Sequence, residues 1–176
     1  MSHADDLAAL EPRCTLTDAL ALFDALPAVT TRDVHGRWRG RELATGHPWD
    51  GVLRAAGWWG KDLHGDEGVH PLLMAGRRGP FPLEPRLVPL QLVGRTPLVA
   101  VHAARRVLRV AEPLVRARTP GARLREITVR GVTSAAMVYD HLPVVDSFRR
   151  VDDRTLLGLM DARPAPRPFL FVLTRP

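Results

Sequence analysis

The C-terminal third of the chain has the fewest folding options. "ARLREITVRG", "VTSAAMVYDHL", "VVDSFRRVD", "RTLLGLMDAR" and "PFLFVLTR" are short segments in which apolar residues alternate with polar ones. Between them stand "RG", a lone proline, "DD" and "RPAPRP", which is turn chemistry. Alternation of period two with tight connections predicts a continuous antiparallel meander. A meander of about eight strands closes on itself, because closure removes the unpaired edges. The fold class is therefore α+β, mainly β: an antiparallel β-barrel flanked or plugged by a few short helices.

Upstream segments supply the remaining strands and the helices. "CTLTDALALFDALPAV" reads as a helix capped by Thr15 or Thr17 and stopped by Pro27. "DVHGRWRGREL" (33–43) carries two glycines and suits a bent or bulged strand. "HPWDGVLRAAG" forms a short helix that Gly57 ends. "WWGKDLHGDEGVHPLLMAG" reads as a hairpin turning at "GDEG" (65–68). Prolines crowd residues 76–97, which predicts a loop with at most one edge strand around "RLVPLQLV". "LVAVHAARRVLRVAEPLVRAR" is compatible with a helix up to Glu112, and its β-branched residues leave strand open.

With 176 residues the chain fits one domain, 1–176, by the usual span of roughly 100–200 residues. Its single Cys14 excludes a disulfide framework and a cysteine-based zinc site. The opening "MSHADDLAALEP" has acids where a signal peptide has basic residues, and no apolar run approaches the roughly 18 residues of a membrane span, so a cytoplasmic protein without a membrane partner is expected. The net charge of +6 comes from 24 arginines and one lysine interleaved with 19 acids. Such dispersed charge reads as a solvated surface rather than a nucleic-acid stripe. The basic stretch "HAARRVLRVAEPLVRAR" (102–118) is the one place where a nucleic acid or protein partner would bind. A homodimer is compatible with everything above.

"GRWRGREL", "GHPWDG", "GWWGK" and "VHPLL" resemble the GXWXG domain family. "ARLREITVRG", "MVYD", "PVVDSFRRVDD", "GLMDAR" and "PFLF" resemble the domain of unknown function that normally follows it in bacterial and fungal proteins. The resemblance divides the chain into a GXWXG-like segment, 15–78, and a strand meander, 120–176, both in one barrel. "ITVRG" departs from the pattern, which has an aromatic residue before Arg-Gly. The resemblance supplies no activity. More loosely, the chain is similar to the calycins, or lipocalin-like barrels, which open on a Gly-x-Trp strand and close on a strand whose arginine packs on that tryptophan. Gly36, Trp38 and Arg175 occupy those places. The likeness implies structural closure by Trp38 and Arg175, with a ligand held above Trp38.

"MVYDHLPVVD" (137–146) raises the question of chemistry, because it puts two aspartates and a histidine into a strand-like apolar run. A carboxylate inside a dry barrel costs several kcal/mol unless paired. In one reading Asp140 and Asp146 pair with Arg149, Arg150 or Arg154, or cap turns. In the other a carboxylate lines the cavity as general acid or base, with Tyr139 or His141 as partner. Asp161 adds a third acid, and Asp140, Asp146, Asp161, Tyr139 and Arg149 form the catalytic candidates. His47, Trp58, Trp59, Lys61, His70 and His141 join Trp38 as ligand-contacting candidates. Lys61 either forms a Schiff base or covers Trp59 with its methylenes and points to water, the latter being the expectation.

His47, His64 and His70 lack any HxH or HExxH spacing, so no metal is expected. Haem is a second ligand reading: haem-binding calycin relatives begin on a similar Gly-x-Trp-x-Gly, and His141 is the histidine that qualifies as axial ligand. Nucleophile elbows, phosphate loops and dinucleotide fingerprints do not occur. The sequence thus points to a barrel enclosing a small, mostly apolar organic molecule. On that molecule it would perform cofactor-free acid–base chemistry such as cyclisation, isomerisation or hydration. The rival is a non-catalytic carrier or sensor.

Overall fold

Turn chemistry sets the register of the meander. Arg130 (φ 53°) and Gly131 (φ 79°) both adopt left-handed values. That is the geometry of a two-residue hairpin turn, and it joins β5 (Ala122–Val129) to β6 (Val132–Tyr139) with Val129 opposite Val132. β7 (Val144–Asp152), β8 (Thr155–Ala162) and β9 (Phe169–Thr174) continue the antiparallel run. A computed structural model describes residues 2–176 of the chain.

The N-terminal half completes the ring. β1 (Gly36–Glu42) pairs with β9 on one side and with β2 (Trp58–His64) on the other. β2 pairs with β3 (Gly68–Ala75), and β3 meets β5 at Val69 and Ala122. The order β1-β9-β8-β7-β6-β5-β3-β2 therefore returns to β1, a closed barrel of eight antiparallel strands. A ninth strand, β4 (Pro80–Pro82), extends the free edge of β3.

Helices α1 (His3–Leu10) and α2 (Leu16–Ala25) pack on the outside of the wall. Thr15, one of the two caps the sequence offers, starts α2 and forms a capping box with Asp18. The first helix is an addition to the sequence reading. Its acids, taken there only as evidence against a signal peptide, form a capping box with Ser2 and sit favourably in the first turn. Leu7, Leu22, Phe23 and Leu26 bury themselves on Leu157, Leu159, Leu170 and Val172. Each such side chain contributes roughly 1.5–3 kcal/mol on burial. β8 and β9 are thus apolar on both faces, which is why they read as nearly continuous hydrophobic runs.

Two further helices cover one mouth of the barrel, α3 (Val52–Ala56) and α4 (Leu98–Val110), followed by the single turn α5 (Glu112–Val115). The edge strand expected around "RLVPLQLV" is not formed. Pro85 and Pro89 remove ladder donors and fix φ, and the segment folds into 3₁₀ turns over Pro85–Leu87 and Leu90–Arg95. The short β4 takes the edge instead.

The interior is solid at one end and hollow at the other. Trp38, Leu124, Phe148, Leu156 and Leu173 fill the first end and are almost fully buried. There the Arg175 guanidinium lies 4.3 Å from the Trp38 ring centroid. It also donates to the carbonyls of His35 (3.1 Å) and Asp33 (3.0 Å), while Trp38 Nε1 donates to the Val34 carbonyl at 2.8 Å. This is the seal implied by the calycin likeness. No described helix is long and apolar enough to cross a membrane.

Candidate functional site

The hollow end is a cavity of about 510 Å³, within the roughly 300–1,000 Å³ usual for small-molecule sites. Strands contribute Leu72, Met74, Tyr139, Val144, Met160 and Phe169, and Trp49 adds an indole. α3 and α4 roof it with Val52, Leu53, Val101, Ala104 and Leu108. Thr96 and Tyr139 supply its only hydroxyls, and no charged side chain lines it. Glu42, a residue the sequence did not single out, fixes α3 in place. Its carboxylate accepts from the backbone N–H groups of Gly51 (2.8 Å), Leu53 (2.6 Å) and Arg54 (3.3 Å). Burial pushes its pKa up against those hydrogen bonds.

Beneath the cavity lies the one ion pair of the barrel interior among the described residues. Lys61 Nζ donates to Asp146 Oδ2 at 2.7 Å and to the Pro71 carbonyl at 3.3 Å. The side chains are 1% and 0% exposed. The ammonium also sits 5.0 Å from the Phe171 ring centroid, 5.5 Å from Trp58 and 5.7 Å from Tyr139. Three ring faces around one cation partly replace its lost hydration. Burial raises the Asp146 pKa, and Lys61 pulls it back down. Asp146 Oδ1 has no hydrogen-bond partner. Burial, and then the Asp146 charge, hold the Tyr139 phenol well above its ordinary pKa, so it remains a neutral donor. Asp146 faces Met137 across the strand pair, and Tyr139 is two residues further along β6 on the same face.

A bulge explains why Lys61 points inward. Strict alternation would put Trp59 and Lys61 on one face, with Trp58 on the other. The pairing of β2 with β3 slips twice, between Trp58 and Gly60 and between Gly60 and Asp62. Gly60 takes φ +152°, and a Cβ there would lie 1.9 Å from the Trp38 carbonyl oxygen. The extra residue restarts the alternation, so Trp58 and Lys61 both enter the barrel. Trp59 stays outside under the Arg39 guanidinium at 5.2 Å. The expectation that Lys61 covers Trp59 and points to water is corrected accordingly.

Of the catalytic candidates, Asp146 and Tyr139 come together and the rest do not. Arg149 follows Asp146 by three residues, which places it on the opposite face of β7. There it stacks on Phe23 of α2 at 4.8 Å and donates to the Val129 and Val132 carbonyls at 3.0 and 3.2 Å. Asp161 lies opposite Val145 on the outer face and is exposed. Asp140 is past the end of β6, where it meets Arg123 at 3.5 Å.

Among the ligand candidates, Trp58 packs edge-on against Phe171 beside Lys61. Trp38 is part of the seal at the solid end. His47 stands behind the cavity wall, edge-on to Trp49 and Phe169. Its Nδ1 accepts from the Trp49 N–H at 3.0 Å and its Nε2 donates to the Arg167 carbonyl at 3.0 Å. Burial lowers its pKa, which favours that neutral tautomer. His70 lies opposite Asp62, which faces outward to Arg37. Burial lowers its pKa too, and its Nδ1 has no partner. His141 is exposed and 2.6 Å from an Arg86 nitrogen, off the cavity wall. Among the described residues no three His, Cys, Asp or Glu side chains gather as a metal site.

Comparison with known proteins agrees with the architecture. Residues 21–79 match the model described as "GXWXG protein". Residues 120–175 match the one described as "Domain of unknown function (DUF4334)". No curated protein matches. The crystal structure of a protein from Thermomonospora curvata superposes with a TM-score of 0.71 at 30% identity, covering 98% of this chain and 99% of that one. Two family models in sequence, and a relative aligned along nearly its whole length, mean that the chain belongs to the family in which a GXWXG segment is followed by the DUF4334 domain.

Proposed function

We propose that this barrel binds a small, mostly apolar organic molecule and acts on it by cofactor-free general acid–base chemistry. One observation carries the reading: an apolar hollow whose floor presents a phenol backed by a buried Lys61–Asp146 pair. Apolar walls give affinity without orientation, and the Tyr139 hydroxyl supplies a fixed polar point. Asp146 carries an unpartnered oxygen in a dry setting just beneath that floor, where its charge biases the Tyr139 phenol that faces a held substrate. Lys61 is a positioning residue that keeps the carboxylate aimed and tunes its basicity. Isomerisation, cyclisation and hydration need no more than such a shaped cavity and a tuned proton donor or acceptor.

Binding and chemistry are tested separately. Nile red, a neutral apolar dye, should bind the protein with enhanced fluorescence, and Leu72→Trp, which fills the hollow, should weaken binding at least tenfold. Equal binding by both proteins overturns the reading. For chemistry, wild-type protein in heavy water should accelerate deuterium uptake next to the carbonyl of an enolisable ketone, and Asp146→Asn should remove about 10²–10⁴-fold of that rate. A specific observation favours the carrier as second reading: Asp146 is beneath the cavity wall rather than part of it. Uptake no faster than in buffer, with intact dye binding, establishes the carrier.

A further inference from the structure

We infer that the cavity selects neutral molecules bearing a carbonyl or hydroxyl oxygen, docked on the Tyr139 hydroxyl, and discriminates against carboxylates of the same length. The inference rests on the ligand-binding reading above and names its ligand class. A carboxylate brought into an apolar barrel needs a cation or several donors. The wall offers neither, since no charged side chain is among the residues that line it. The barrel interior's one ammonium, on Lys61, is held by Asp146 at 2.7 Å and by the Pro71 carbonyl, and is 1% exposed. A carboxylate guest would therefore meet the field of Asp146 without reaching its counter-ion.

A neutral oxygen meets the opposite situation. Thr96 Oγ1 is already committed as donor to the Leu92 carbonyl at 2.8 Å. The Trp49 indole nitrogen lies against the Gly94 backbone, where a Cβ would come within 2.8 Å. Tyr139 is left as the hydroxyl facing the guest, and its environment keeps it protonated. One donor on the floor of an otherwise apolar wall matches one acceptor on the guest. A second polar group would be buried without a partner.

The test uses a matched set of eleven-carbon probes, undecane, methyl nonyl ketone and undecanoate, each displacing Nile red from the full chain at neutral pH. The ketone should bind about tenfold or more tighter than both the alkane and the carboxylate. Tyr139→Phe should erase the advantage of the ketone over the alkane. Undecanoate binding within threefold of the ketone overturns the inference, as does a ketone advantage that survives in Tyr139→Phe. Failure of every probe and of the dye itself defeats the underlying ligand-binding reading instead. Should Tyr139→Phe misfold, the carbonyl stretch of the ketone bound to wild-type protein decides. A shift below its value in hydrocarbon solvent supports docking on a hydroxyl, and an unshifted band overturns it.

Discussion

Lys61 and Asp146 are the residues whose removal has the clearest thermodynamic signature. Removing one partner strands a charge in the barrel, so Lys61→Met or Asp146→Leu alone should cost about 3–5 kcal/mol. The double variant replaces an ion pair by apolar groups of similar volume. It should recover most of that loss in a urea titration and still lack ketone exchange. A double variant no more stable than either single would show that the pair contributes net stability. His47 gives the pH prediction. Its folded pKa is depressed, so protons bind preferentially to the unfolded chain. Stability is complete above the unfolded value of 6.5 and falls as pH drops below it towards the folded pKa. A melting temperature declining from pH 7 to 5 in wild type, and declining less in His47→Gln, is expected. Parallel declines would assign the effect to other groups, His70 foremost.

At the scale of the element, the β2 bulge decides what the barrel contains. Gly60→Ala places a methyl group against the Trp38 carbonyl at a backbone angle that L-residues rarely adopt. It should cost at least about 2 kcal/mol and expose Lys61 to water, both readable by chemical denaturation and by amine-reactive labelling. A loss under about 1 kcal/mol would mean that the bulge relaxes freely. The same element marks the limit of legibility. Alternation and turn residues place the C-terminal strands, and Asp146 stands out as a carboxylate in an apolar run, with Tyr139 as one candidate partner. The partner of Asp146 could not be found, because "WWGKD" alternates one way in sequence and the bulge reverses it. Nor does Arg149, three residues from Asp146, betray that it faces a helix packed outside. Val101, Ala104 and Leu108 of the α4 wall recur at helical spacing, but the β-branched residues of the same stretch leave strand open in sequence.

At the scale of the whole molecule, the two ends of the barrel differ in how tightly they are filled. Leu124, 1% exposed at the solid end, should cost about 2–5 kcal/mol when cut to alanine. Leu72 already borders empty space, so Leu72→Ala should cost less than half as much and enlarge the hollow. Equal losses in thermal unfolding would deny the asymmetry. The sealing arginine acts at the end remote from the roof, and the two outer helices act on the outside of the wall. Durability and adaptability are therefore separated along the barrel axis. Evolution, or an engineer, can re-carve the upper half for a new guest while the lower half keeps the chain folded.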